Sequence, residues 1–233
     1  MKIDAYIICW NEDKILPFTL DHYTKYCNKV YLVDNMSDDS SREIASRYKN
    51  VQILEWSYPD NKINDLILAR LKSIVYTNSI GQADWVIVVD ADELVYNLES
   101  LKDIPKGSIP KIEGAQMMCE EFPKYTGESI FDLVKTGFYD KDFCKQAVFP
   151  PESGLQFGVG GHSANIQPNV DSNLKLLHYK YLGRDYIKWK NKRSAERLSD
   201  TNKNYGFGTH YLQSDAQTDA TFDKYSMSLI NII

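Results

Sequence analysis

A chain of 233 residues, 43% of them hydrophobic, can bury a large core and lies in the range expected for one α/β domain with a C-terminal appendage. Its formal net charge of −5 leaves no broad basic field, which argues against nucleic acid as a partner. The cysteines Cys9, Cys27, Cys119 and Cys144 form no C-x-x-C pair, and the chain has neither a signal-peptide pattern nor the roughly 20 apolar residues of a membrane span, so reduced thiols and a cytoplasmic protein are expected.

Ile3 to Cys9 is an apolar run of β-formers that stops at Trp10-Asn11-Glu12-Asp13, as a buried strand entering a polar loop does. Pro17 suits the first turn of a following helix, with Phe18, Leu20, Tyr23 and Tyr26 as its apolar face and Asn28 at its end. Lys29 to Val33 is a second strand, broken by the segment Asp34 to Ser40, whose residues favour turns and helix N-caps. A helix from Ser41 to about Tyr48 and a strand from Val51 to Trp56 come next. Ile63 to Ser79 repeats apolar residues at helical spacing. After Gly81, Trp85 to Val89 is the strongest strand signal, apolar on both faces as at the centre of a covered sheet. This alternation predicts an open, mostly parallel sheet flanked by helices, with ligands beyond the carboxyl ends of the strands. Farther on, Gly114 to Glu121 reads as a strand, Gly154 to Gly161 as a glycine-rich mobile loop over a ligand, and Tyr186 to Leu198 as a basic amphipathic helix. The expected boundaries are 1–180 for the main domain, split into a nucleotide-binding half 1–100 and an acceptor-side half 101–180, and 181–233 for a C-terminal helical extension.

Asp90-Ala91-Asp92-Glu93 puts three carboxylates directly after a buried strand, where their repulsion calls for a shared cation. Mg2+ or Mn2+ is the simplest remedy, because such an ion takes one or two protein carboxylates and leaves positions for substrate phosphates. The loop from Asp34 to Asp39 should face the same crevice, with Asp34 at the strand end the better ligand for a nucleoside and Asp38 and Asp39 equally suited to capping a helix. Lys145 and the cluster Lys188, Lys190, Lys192, Arg193 and Arg197 suit phosphates, although a solvated helix face is the preferred reading. The apolar end, Met227 to Ile233, either packs on the domain or touches a membrane surface or partner.

Three segments, Ile8-Cys9-Trp10-Asn11-Glu12, Val33 to Asp39 and Asp84 to Glu93, resemble in order and spacing the family-2-like glycosyltransferases of GT-A fold, in particular a small bacterial subgroup with an Asp-Ala-Asp-Glu motif. The resemblance covers residues 1 to about 100 and loosens beyond. It implies a Rossmann-like GT-A domain and transfer of a sugar from a UDP-, GDP- or dTDP-linked donor to a saccharide or lipid-linked acceptor, with inversion, in cell-surface polysaccharide synthesis. It also implies that Cys9, Asn11, Glu12, Asp34, Asn35, Asp90, Ala91 and Lys145 meet the donor nucleotide. Asp90, Asp92 and His178 would then hold Mn2+ or Mg2+. The family's Glu-Asp pair for the base has no clean match, and Glu120, Glu121 and His162 are the candidates for that role. A nucleotidyltransferase is the main enzymatic alternative, disfavoured because Cys9 to Lys14 has no glycine. A non-catalytic sugar-nucleotide-binding relative is the alternative from another class.

Overall fold

The apolar run near the N-terminus forms β1 (Ile3–Cys9), which leads into α1 (Leu16–Tyr26), with Pro17 in its first turn where the missing N–H costs nothing. The computed structural model, which describes residues 1–58 and 61–233, continues with β2 (Lys29–Asp34), α2 (Ser41–Ser46), β3 (Val51–Glu55) and α3 (Asp65–Val75). Asn64 caps α3 by accepting the Ile67 N–H. β4 (Trp85–Asp90) then pairs with β1, which pairs in turn with β2, and β2 with β3, all in parallel. The short β8 (Val148–Phe149) closes the far edge antiparallel, giving the order β3-β2-β1-β4-β8. The mostly parallel α/β sheet read from the sequence is therefore the architecture observed.

Alternation along β1 divides the core. Ala5, Ile7 and Cys9 pack with Leu16 and Leu20 of α1 on one face, while Tyr6 packs with Tyr31, Tyr76 and Phe149 on the other. Tyr6 takes its buried hydroxyl into a chain of hydrogen bonds, donating to Ser79 Oγ (2.7 Å), which donates to Asp4 Oδ2 (2.7 Å).

A second sheet begins at once. β5 (Glu93–Tyr96) starts on the last residue of the acidic motif and runs antiparallel to β9 (Lys175–Leu182). β6 (Glu113–Cys119) lies parallel to β9, and β7 (Thr136–Tyr139) lies antiparallel to β6, after the short α4 (Ile130–Leu133). Gly114 is required in β6 because a Cβ there would fall on the Phe143 carbonyl. The glycine-rich stretch Gly154 to Gly161, expected as a loop, follows a short 3₁₀ turn at Pro151–Ser153 and holds another at Val159–Gly161.

The basic helix is α5 (Arg184–Glu196), followed by α6 (Asp200–Tyr205) and α7 (Asp215–Ser226), the latter opened by a Ser214–Gln217 capping box. The apolar tail packs on the domain: β10 (Ile230–Asn231) pairs with β7, and the buried Ile232 donates its N–H to the Lys135 carbonyl (2.9 Å). Among the described residues no helix is long and apolar enough to cross a membrane.

Candidate active site

The strand order reverses direction between β1 and β4, and a ligand crevice opens at such a point, beyond the carboxyl ends of the strands. Ile8 pairs with Asp90 there, so the Asp-Ala-Asp-Glu motif and the loop after β1 stand side by side. The motif is held rigidly. Ala91 donates its N–H to the Ile8 carbonyl (3.1 Å) and accepts from the Thr19 hydroxyl (2.6 Å), and Glu93 accepts the Asp90 N–H (3.0 Å).

Three lysines from α3, the segment before β8 and α5 pair with the carboxylates. Lys72 of α3 reaches Asp90 (2.7 Å), Lys145 reaches Glu93 (2.5 Å), and Lys190 of α5 bridges Asp92 (2.7 Å) and Glu12 (2.9 Å). Most of the network is withdrawn from water, with side-chain exposures of 2% at Glu93, 8% at Asp92 and 15% at Lys190, while Asp90 is open to solvent at 37%. Burial pushes the Asp92 carboxyl up, but Lys190 and His178 outweigh it and hold the group well below the usual carboxylate range. At Glu12 burial dominates, and the carboxyl is raised despite Lys190. Burial also opposes the charge of Lys190, yet Asp92 and Glu12 keep that ammonium firmly protonated.

His178 lies flat against Phe143, with centroids 4.5 Å apart, and its Nε2 meets Asp92 Oδ2 at 3.2 Å. Its Nδ1 is buried without a partner. Of the expected metal set, Asp92 and His178 meet, with Lys190 also on Asp92, whereas Asp90 turns to Lys72. Among the described residues no three His, Cys, Asp or Glu side chains are grouped to hold a cation. As they stand, the donors do not fit a divalent metal, and the counter-charge comes from lysine.

The other expected donor contacts divide into two groups. Asn11 and Glu12 lie at the crevice, and so does Asn35, whose Oδ1 accepts from Arg197 (2.6 Å). Cys9 and Asp34 are sealed beneath it. Asp34 is fully buried, with one oxygen taken by the Ser37 N–H (3.2 Å) and by Arg42 (3.5 Å) and the other without a partner. Cys9 packs in the core, where burial raises its thiol pKa strongly.

Of the expected bases, Glu120 and Glu121 are exposed at the end of β6 and touch no member of the carboxylate–lysine network; Glu120 is 4.0 Å from Arg184. His162 lies instead on a cavity of about 760 Å³ whose wall also includes Lys111, Lys141, Cys144, Lys145 and Lys175. Its Nδ1 is 2.6 Å from the Asp142 carbonyl, which can only accept, so in the neutral ring the free lone pair is on Nε2.

Sequence reasoning missed Lys72 and the division of α5 into two basic faces. Arg184 and Lys188 pair with Asp223 (2.6 Å) and Asp219 (2.7 Å) of α7, whereas Lys190, Arg193 and Arg197, spaced i, i+3, i+7, turn to the crevice. That spacing was the available signal.

Compared with protein-family models and with curated proteins, the chain matches none. Some solved structures are similar. Glucosyl-3-phosphoglycerate synthase from Mycobacterium tuberculosis, in complex with Mn2+, uridine-diphosphate and glucosyl-3-phosphoglycerate, is 15% identical over 40% of this chain and 34% of that one (TM-score 0.29). Mannosyl-3-phosphoglycerate synthase from Rubrobacter xylanophilus is 16% identical over 65% and 54% (TM-score 0.37). 4-Diphosphocytidyl-2C-methyl-D-erythritol synthase from Anaerococcus prevotii is 15% identical over 95% and 82% (TM-score 0.34). The chain thus spans 34% of the length of the first of these and 54% of the second. Likenesses of this size assign no activity, and the functional reading rests on the site.

Proposed function

We propose that the chain is a glycosyltransferase that binds a nucleoside-diphosphate sugar over the carboxyl ends of β1, β2 and β4 and passes the sugar to a saccharide or glycolipid acceptor. The observation that carries this reading is the mostly buried network of Glu12, Asp90, Asp92 and Glu93 with Lys72, Lys145 and Lys190 at the point where the strand order reverses. A water-poor site with fixed charges is suited to a reaction that moves negative charge onto a leaving diphosphate. The nucleoside lies beside Asn11, Glu12 and Asn35. The acceptor enters the cavity that shares Lys145 with the network.

In the reaction an acceptor hydroxyl oxygen attacks the anomeric carbon and forms the new glycosidic bond. The bond from that carbon to the diphosphate oxygen breaks, nucleoside diphosphate leaves, and the hydroxyl proton passes to Nε2 of His162. The configuration at the anomeric carbon inverts. Lys145 and Lys190 hold the carboxylates of the motif in place beside the departing group. The glycine-free loop after β1 favours this chemistry over nucleotidyl transfer.

The test measures nucleoside diphosphate released when the full chain meets UDP-, GDP- and dTDP-linked sugars with a panel of saccharides, with and without Mn2+. Acceptor-dependent consumption of one donor class is expected, with kcat falling by roughly 10²–10⁴ in His162→Gln. Failure to consume any donor under either condition would refute the reading.

A further inference from the structure

The loop after β1 cannot cradle a phosphate with its backbone. The N–H groups of Asn11, Glu12 and Asp13 are already given to Ser37 Oγ (2.8 Å), Ser41 Oγ (2.9 Å) and Asp39 Oδ2 (3.1 Å). The carboxylates of the motif are each paired with a lysine, so a metal that bridged a diphosphate would have to share them with an ammonium. A diphosphate entering the crevice therefore needs another source of positive charge.

Helix α5 supplies one. The guanidinium carbon of Arg193 lies 4.0 Å from the centre of the Trp189 ring and 4.8 Å from that of Trp10, and Arg197 lies 3.7 Å from Trp10. Lys14 lies 4.0 Å from Trp189, so three cations and two indoles form one ladder at the mouth of β1. Among the described residues no carboxylate lies within ion-pair distance of Arg193 or Arg197. Their partners are neutral oxygens: the carbonyls of Trp10 (3.4 Å) and Asn11 (2.6 Å) for Arg193, and Asn35 Oδ1 (2.6 Å) with the Asn61 carbonyl (3.0 Å) and Oδ1 (2.9 Å) for Arg197. Burial and the neighbouring Arg193 pull Arg197 down to about 10, with Asp38 opposing them only in part. Arg193 spends only Nη2, and Arg197 only Nε and Nη2, so each keeps N–H groups for phosphate oxygens.

We propose that Arg193 and Arg197, braced on Trp10, hold the diphosphate of the donor without a divalent cation; this rests on the nucleotide-sugar reading of the crevice given above. The side chains take the part that a glycine-rich loop or a metal plays elsewhere.

The experiment is calorimetric titration of the full chain with inorganic pyrophosphate, UDP, GDP and dTDP, in EDTA and in MnCl2. Pyrophosphate and at least one nucleotide are expected to bind in EDTA, with affinity changed less than about threefold by Mn2+. Arg193→Gln/Arg197→Gln should weaken both roughly tenfold or more. Because that variant also cuts bonds to the β1 loop, Arg193→Lys is run beside it, and loss of the fork with charge retained should give an intermediate weakening. Binding that needs Mn2+ and vanishes in Asp92→Asn would overturn the inference and leave the glycosyltransferase reading intact. Binding in EDTA that neither arginine variant weakens would also overturn it. Pyrophosphate bound in EDTA with no nucleotide bound in either condition would keep the anion site and sink the nucleotide-sugar reading.

Discussion

Lys190 ties the loop after β1 to the acidic motif, since its ammonium serves Glu12 and Asp92 together. Replacing it with methionine strands two buried carboxylates. Lys190→Met should cost about 3–5 kcal/mol of stability, read by urea unfolding, and adding Asp92→Asn should recover part of the loss. His22 makes a second prediction. Burial pulls its pKa down to about 4, and its Nε2 is 2.9 Å from the Val95 carbonyl, among Tyr23, Tyr26 and Phe131. A depressed histidine takes up its proton in the unfolded chain first, so stability falls as pH drops from about 6.5 toward 4, and unfolding midpoints in His22→Phe should lack that part of the slope. Asp90, Asp92 and Glu12 were legible as a group because they follow apolar strands that must be neighbours. Their counter-ions were not. Lys72 sits in an otherwise apolar helical repeat, and Lys190 looked like one more member of a solvated basic run; only the pairing of Arg184 and Lys188 with α7 reveals which face of α5 turns inward.

At the level of elements, the first sheet was readable nearly strand by strand, since buried parallel strands are continuous apolar runs. β5 was hidden because it is four residues long and begins with Glu93, a residue read only as part of the motif. β10 was hidden in a two-residue pairing that only the position of β7 defines. Strand β6, by contrast, was anticipated within two residues at its C-terminal end, and it carries a tight constraint. A methyl group at Gly114 would press on the Phe143 carbonyl, and Phe143 is the ring on which His178 rests. Gly114→Ala should therefore destabilise the protein by about 1–3 kcal/mol and disturb the His178 ring signals in NMR spectra, whereas alanine at the open turn position Gly107 should leave those signals in place.

For the molecule as a whole, the acidic motif is the seam between the two sheets: β4 ends on Asp90 and β5 starts on Glu93, with two residues between them. The network across that seam draws on α3, the segment before β8 and α5, so neither sheet completes it alone. Unfolding followed by tryptophan fluorescence and by far-ultraviolet circular dichroism should give coincident transitions, and two resolved steps would contradict this coupling.

Cys144 lies exposed on the wall of the large cavity, while Cys9 and Cys27 are buried and their thiols are held protonated chiefly by burial. A maleimide dye offered to the native protein will accordingly find its readiest target at the cavity, since the thiolate is the species that reacts and only an accessible sulfur can form the adduct. The chain thus comes with its own attachment point for an optical reporter, placed where an acceptor would enter, next in sequence to Lys145 and within reach of the Gly114 N–H of β6 (3.4 Å).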